Sequence, residues 1–189
     1  MRELEEKILQ DGKVFLGNIL KVDSFLNHQI DVEMLDQMAD EFYRLYKDEK
    51  ITRILTIEAS GIAVAVAIAQ RFHVPVVFAK KAKSKNIGDG VYTSHVHSYT
   101  YIKDFTVTVS KDYLNEDDHI LIVDDFLANG LAADGLIDIA RQSGAKVVGL
   151  GICVEKLFQG GGAKLRKQGY RVESLAKIKS FDNNQVIFE

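Results

Sequence analysis

An apolar run, Ile120, Leu121, Ile122 and Val123, ends in two carboxylates, Asp124 and Asp125, followed by Phe126, Leu127, Ala128, Asn129, Gly130, Leu131 and Ala132. The pattern over residues 120–133 (ILIVDDFLANGLAA) predicts a buried strand, a loop over 126–131 and a helix from about Ala132. Free N–H groups at a helix start, with the positive end of its dipole, favour a phosphate there. Gly130 and the small Ala128, Ala132 and Ala133 let the backbone come close to a ligand. Carboxylates are poor partners for phosphate, but they accept hydrogen bonds from sugar hydroxyls or hold water on a magnesium ion. The combination suits a phosphorylated sugar. On these residues alone, a strand–loop–helix junction with an acidic N-cap fits equally well.

Glu58, Ala59, Ser60 and Gly61 stand between a second predicted strand and helix. A hydroxyl and a glycine at a helix start can donate to another phosphate group. An ordinary turn capped by Ser60 is the simpler reading of the four residues in isolation. Lys80, Lys81, Lys83 and Lys85 place four lysines within six residues. A nucleic-acid patch is one reading, set against a mildly acidic protein, and a solvated charge run is the ordinary one. His95 and His97 would share one face of a strand, and with no third ligand in view a metal site is not expected. Residues 159–164 (QGGGAK) lack the Gly-Lys-Ser/Thr ending of a phosphate-binding loop and read as a flexible lead into a helix.

These residues need a scaffold. Residues 53–57, 75–79, 120–124, 147–154 and 172–176 are short apolar runs, continuous rather than alternating, as in strands buried on both faces. Helical spacing is predicted over 4–10, with Gly12 as a stop, and over 62–72, 132–143 and 163–168. Asp31 is placed to cap a further helix carrying Met34, Leu35, Met38, Phe42, Leu45 and Tyr46. Strands alternating with helices predict an α/β fold with a central parallel sheet flanked by helices. Residues 83–113 break the rhythm: they are polar, and 92–100 and 106–110 alternate as β-arms would. A long excursion between core strands is commonly a functional lid.

Composition narrows the classes. A length of 189 residues fits one domain, and 47% hydrophobic residues suffice for its core. A net charge of -3 gives no general attraction to nucleic acid or anionic membrane. The single cysteine, Cys153, cannot form an internal disulfide and stands among apolar neighbours. No signal peptide is expected at the N-terminus, and no stretch approaches the roughly 20 apolar residues of a membrane span. A soluble, cytoplasmic protein is the expectation.

Residues 120–133 resemble the phosphate-loop motif of the type I purine phosphoribosyltransferase family: hydrophobic residues, two acids, two more hydrophobics, then a small residue, Thr and Gly. Asp124, Asp125 and Gly130 match. Asn129 replaces the usual Thr, while Leu131 and Ala132 replace the usual small and hydroxyl residues. The variant ANGLA is similar to that of bacterial members acting on xanthine, and the resemblance spans essentially the whole chain.

The resemblance implies a type I phosphoribosyltransferase fold in a single domain over 1–189. A hood from about 1–30 plus the C-terminal end would cover the pocket, and a flexible catalytic lid would span about 83–113. Ala128, Asn129, Gly130, Leu131 and Ala132 would hold the 5′-phosphate of 5-phosphoribosyl 1-pyrophosphate, with Asp124 and Asp125 on the ribose hydroxyls. Glu58, Ser60, Gly61 and either Lys80 or Lys81, of which Lys81 is preferred, would serve the pyrophosphate. Magnesium would arrive with the substrate rather than on direct protein ligands. Relatives acting on hypoxanthine and guanine commonly carry Asp where this chain has Ala128, so no side chain is assigned as a general acid or base.

The base should be recognised elsewhere. Lys156 follows a buried strand run and Glu155, where its ammonium could donate to a purine carbonyl, although a lysine at a strand end is ordinarily just solvated. By resemblance Leu20, Asn27 and Lys156 contact xanthine, and Phe126 or Leu127 packs on the ring. The expected reaction joins xanthine to the sugar phosphate in purine salvage, giving xanthosine 5′-monophosphate and pyrophosphate, in a homodimer. Guanine, hypoxanthine or adenine are alternative bases. A non-catalytic purine-responsive regulator of the same fold is a further alternative. Against that regulator, the first fifty residues hold seven Lys/Arg and twelve Asp/Glu, a poor DNA-binding segment.

Overall fold

The structure, a computed structural model, describes residues 1–15, 19–82, 90–96, 105–183 and 185–189. Its elements are α1 (Arg2–Asp11), β1 (Lys13–Phe15), β2 (Ile19–Lys21), α2 (Val32–Tyr46), β3 (Arg53–Ile57), α3 (Ser60–Phe72), β4 (Val76–Ala82), β5 (Val91–Val96), β6 (Phe105–Ser110), β7 (His119–Leu127), α4 (Leu131–Ser143), β8 (Lys146–Lys156), α5 (Gly161–Lys167), β9 (Val172–Asp182) and β10 (Gln185–Phe188). A π-helical turn, Asp23–Asn27, precedes α2.

Eight strands form one sheet in the order β10-β9-β8-β7-β3-β4-β6-β5. The five from β9 to β4 run parallel, as the alternation of strands with helices predicts. Antiparallel strands flank this expected central parallel sheet: β10 pairs with β9 at one edge, and the β5–β6 arms extend from β4 at the other. Edge strands joined to their neighbours in this way need no crossover helix, so they can alternate in pattern where the core strands cannot. Residues 83–89 and 97–104 of the expected lid, with Lys83, Lys85 and His97, lie outside the described residues. Its described parts are β5, β6 and a short 3-10 turn.

Alternate strand residues feed two cores. Ile54, Leu121, Val123 and Cys153 pack with apolar residues of α1, α2 and α3, whereas Leu55, Ile120, Ile122, Leu150 and Ile152 pack with those of α4 and α5. Each fully buried Leu, Ile or Phe contributes about 1.5–3 kcal/mol relative to exposure. Polar pins fix the layers. The Tyr46 hydroxyl, buried at the end of α2, donates to the Leu150 carbonyl at 2.9 Å, and the Arg171 guanidinium stacks 4.3 Å from the ring centroid. Asp31 caps α2 as expected, accepting from Met34 N–H at 3.1 Å. The π-helical turn and the antiparallel β1–β2 pair lie in a stretch with no clear sequence periodicity to predict them. Among the described residues no helix is long and apolar enough to cross a membrane.

Candidate functional site

The carboxyl ends of parallel strands open a crevice where ligands bind in α/β sheets. A cavity of about 140 Å³ lies at the ends of β3, β4 and β7, lined by Ile57, Glu58, Ser60, Gly61, Lys81, Asp124, Asp125 and Ala132. It joins the expected sugar-hydroxyl acids to the expected pyrophosphate residues in one space.

Asp124 and Asp125 belong to β7, which runs on to Leu127, so the loop expected over 126–131 contracts to 128–130. Neither acid caps α4; Gly130 does, at φ +85°, a left-handed backbone that favours glycine. Asn129 Oδ1 accepts the Leu131 N–H at 3.3 Å. That position, where the resembling family has Thr, thus shapes the loop from within. Apart from the Leu131 N–H held by Asn129, the first turn of a helix such as α4 offers N–H groups with no helical acceptor, an arrangement that suits a phosphate.

Asp124 is buried, and its carboxyl accepts the Asp125 N–H at 3.0 Å. Burial and then the neighbouring Asp125 charge push its pKa well above the usual carboxylate range, while Lys81 pulls the other way. A buried carboxylate beside another calls for cationic or hydroxyl partners from a ligand.

Across the cavity, on the turn between β3 and α3, Glu58 and Ala59 are joined by a cis peptide bond, and Ser60 opens α3. Ser60 is not the N-cap; Ala59 is, without a side-chain cap bond. A side chain at Gly61 would bring a Cβ 2.2 Å from Thr56 Oγ1 and 3.2 Å from Asp124 Oδ1, so only glycine lets the turn lie this close. Glu58 Oε1 accepts the backbone N–H of Lys81 at 2.6 Å. Strand alternation separates the two candidate lysines. Lys81 lines this cavity, whereas Lys80 lines a groove on β4–β6 and sits 6.0 Å from the Phe78 ring.

At the end of β8, Lys156 Nζ lies 5.7 Å from the Phe126 ring centroid, and burial lowers its pKa. Buried Leu20 belongs to the apolar cluster against which Phe126 packs. Asn27 stands exposed at the end of the π-helical turn and lines neither cavity named above. His95 pairs its Nδ1 with Thr106 Oγ1 at 3.0 Å on the β5–β6 arms.

One expectation is corrected. Residues 159–164 are not a loose lead into a helix: Gly161 and Gly162 are buried at the start of α5, and Gly161 N–H donates to the Ala128 carbonyl at 3.1 Å. Three consecutive glycines mark a close backbone approach as readily as flexibility, and here the approach is to the phosphate-loop candidate.

Residues 21–187 match the phosphoribosyl transferase domain family. The chain is 57% identical over 189 residues to a xanthine phosphoribosyltransferase of Finegoldia magna, covering 100% of each. It is 56% identical over 183 residues to a xanthine phosphoribosyltransferase of Bifidobacterium adolescentis, covering 96% of this chain and 95% of that one. Among solved structures, the adenine phosphoribosyltransferase of Trypanosoma brucei, in complex with AMP, pyrophosphate and ribose-5-phosphate, aligns with a TM-score of 0.77 at 20% identity. That alignment covers 92% of this chain and 79% of that one. The Saccharomyces cerevisiae adenine phosphoribosyltransferase aligns with a TM-score of 0.74 at 19% identity, covering 93% and 99%. At such identities the two structures speak for the fold alone.

Proposed function

We infer the reaction from this premise: the chain belongs to the phosphoribosyl transferase domain family. It is a glycosyltransferase that joins xanthine to 5-phosphoribosyl 1-pyrophosphate, releasing pyrophosphate and forming xanthosine 5′-monophosphate in purine salvage. The full-length identity of 57% to a xanthine phosphoribosyltransferase carries the choice of base. The cavity joining Glu58, Ser60, Gly61 and Lys81 to Asp124 and Asp125 supports the choice of sugar donor.

We assign the parts as follows. The loop Ala128, Asn129, Gly130, Leu131 and Ala132 binds the 5′-phosphate through backbone N–H groups at the start of α4. Asp124 and Asp125 accept from the ribose hydroxyls, which supply the donors that the buried Asp124 needs. Ser60, Gly61 and Lys81 receive the pyrophosphate, with Glu58 tying the turn to β4. Lys156 donates to a purine oxygen, Phe126 and Leu20 supply apolar contact, and Asn27 from the N-terminal segment completes the base site. Residues 1–30 with the C-terminal end form the hood, and 83–113 the lid, of a single domain.

As the purine nitrogen attacks the anomeric carbon, the C–O bond to pyrophosphate breaks and both electrons leave with it. The purine's N–H proton departs to solvent; no protein carboxylate stands at Ala128 to take it. Holding both phosphate ends while the base lies against Phe126 aligns the reacting atoms and removes much of the entropic barrier. The Lys81 ammonium offsets charge on the leaving group. The acidic donor set around Asp124 and Asp125 fits a hydrated magnesium ion carried by the substrate, which would add charge neutralisation at the pyrophosphate.

Homodimerisation is part of the same reading. A groove of about 430 Å³ on β4–β6, lined by Val76, Phe78, Val109 and Tyr113 among others, leaves Phe78 and Tyr113 exposed, as association surfaces do. The cytoplasm is the expected location. Xanthine-dependent release of pyrophosphate from 5-phosphoribosyl 1-pyrophosphate tests the activity; no release with any purine would refute it.

A further inference from the structure

We infer that Glu155 and Arg166 are positioning residues for the 5′-phosphate loop, acting through Gly161 and Gly162; this rests on reading residues 128–132 as that loop. The backbone of Gly161 lies directly against it. A Cβ on Gly161 would come 2.4 Å from the Ala128 carbonyl oxygen, 2.6 Å from Gly130 N and 2.7 Å from the Asn129 carbonyl carbon. All three are backbone atoms of the loop, so no side-chain rotation can make room. Gly130 in turn has Gly161 Cα 3.3 Å from where its own Cβ would stand. Together with the Gly161 N–H to Ala128 carbonyl bond, these contacts fix the loop's height above the sheet.

Gly161 is fixed in its turn by a buried ion pair. A Cβ on Gly162 would fall 1.8 Å from Glu155 Oε1, so the helix start is seated on that carboxylate. Glu155 is 1% exposed and receives both Nη1 and Nη2 of Arg166 at 2.7 Å, with Ser174 Oγ at 2.5 Å. Arg166 also donates to the Val172 carbonyl at 3.1 Å, closing α5 onto β8 and β9. Burial opposes the charge on Glu155, yet the bonds from Arg166 and Ser174 hold its pKa below the usual range. On the loop's other side Lys164 pairs with Asp134 at 2.5 Å, and the Asp134 N–H donates to the Gly130 carbonyl at 2.9 Å.

A bidentate arginine–carboxylate pair is directional, and a buried one contributes defined geometry more dependably than net stability. The pair sets where α5 begins, and the beginning of α5 sets the loop. Glu155 is also the residue before Lys156, so one strand end carries both the base contact and the loop's support. The pyrophosphate residues sit on the β3–α3 turn and β4, outside this chain of contacts. Loss of the pair should therefore weaken one phosphate subsite and spare the other.

Calorimetric titration of ribose 5-phosphate and, separately, of magnesium pyrophosphate into the full chain tests this, with Gly161→Ala, Arg166→Met and Arg166→Lys as variants. Circular dichroism and Tm establish folding. A loop displaced by an ångström loses about tenfold or more in ribose 5-phosphate affinity in Gly161→Ala and Arg166→Met. Pyrophosphate affinity should stay within about twofold, and Arg166→Lys should recover part of the loss. If Gly161→Ala does not fold, the Arg166 pair decides alone. Unchanged ribose 5-phosphate affinity, or equal losses for both ligands, overturns the positioning role. A wild-type chain that binds pyrophosphate but not ribose 5-phosphate would instead overturn the phosphate-loop reading beneath it.

Discussion

Glu58 accepts the backbone N–H of Lys81 at 2.6 Å, tying the turn after β3 to the neighbouring strand β4. The bond uses strand alternation: with its amide held, Lys81 presents its side chain to the acidic cavity while Lys80 faces the opposite groove. Two walls of the cavity are thereby fixed before substrate arrives, which lowers the ordering cost of binding.

Asp124 should show opposed effects on stability and binding. Its folded pKa is raised, first by burial and then by Asp125, so the native state holds a proton that the unfolded chain releases. Stability from that proton is present below the unfolded pKa and is lost as pH rises through the folded one. Asp124→Asn removes the loss while its amide oxygen still accepts the Asp125 N–H. At pH above the usual carboxylate range it should raise the Tm measured by scanning calorimetry, a gain that vanishes as pH falls below that range. Affinity for 5-phosphoribosyl 1-pyrophosphate should fall about tenfold or more, because ribose hydroxyls and the substrate's magnesium favour the ionised carboxylate, a charge that the amide cannot supply. A lower Tm with intact binding would contradict this account of Asp124.

Lys156 should act on the base rather than the sugar. Lys156→Ala removes a charged donor, an effect of about 1.5–3 kcal/mol, and should raise the KM for xanthine at least tenfold with little change for 5-phosphoribosyl 1-pyrophosphate. Because burial lowers the lysine pKa, the wild-type preference for xanthine should weaken at alkaline pH sooner than an exposed lysine would allow. Kinetics across pH with both substrates varied check this. Unchanged purine selectivity in Lys156→Ala would contradict its role.

The legibility of these features in the sequence follows from their physics. Core strands β3, β4, β7 and β8 announce themselves through short apolar runs, as burial on both faces demands, whereas β9 is interrupted by Glu173, Ser174 and Lys177. Asp31 was legible as a cap because a cap is local. The first turn around Ser60 was not, since its tight entry depends on Gly61 meeting Asp124 of β7, a strand the local sequence cannot see. Likewise the glycines at 160–162 read as loose; their meaning depends on Glu155 and on the loop at 128–130, contacts made only in three dimensions. The antiparallel edges belong to the same class, because pairing partners are set by the whole sheet.

The exposed groove on β4–β6 predicts an assembly. Sedimentation velocity should give about twice the 21.2 kDa of one chain. Phe78→Asp, which places a charge on that face, should shift the population toward monomer without unfolding it, since Phe78 is 39% exposed. A wild-type monomer at micromolar concentration would contradict the homodimer.

The most direct test of the central claim is a parallel measurement of kcat/KM with magnesium, 5-phosphoribosyl 1-pyrophosphate and each of xanthine, guanine, hypoxanthine and adenine. Xanthine should give the highest value, with xanthosine 5′-monophosphate and pyrophosphate formed one for one. Turnover of adenine faster than xanthine, or of no purine at all, would contradict it.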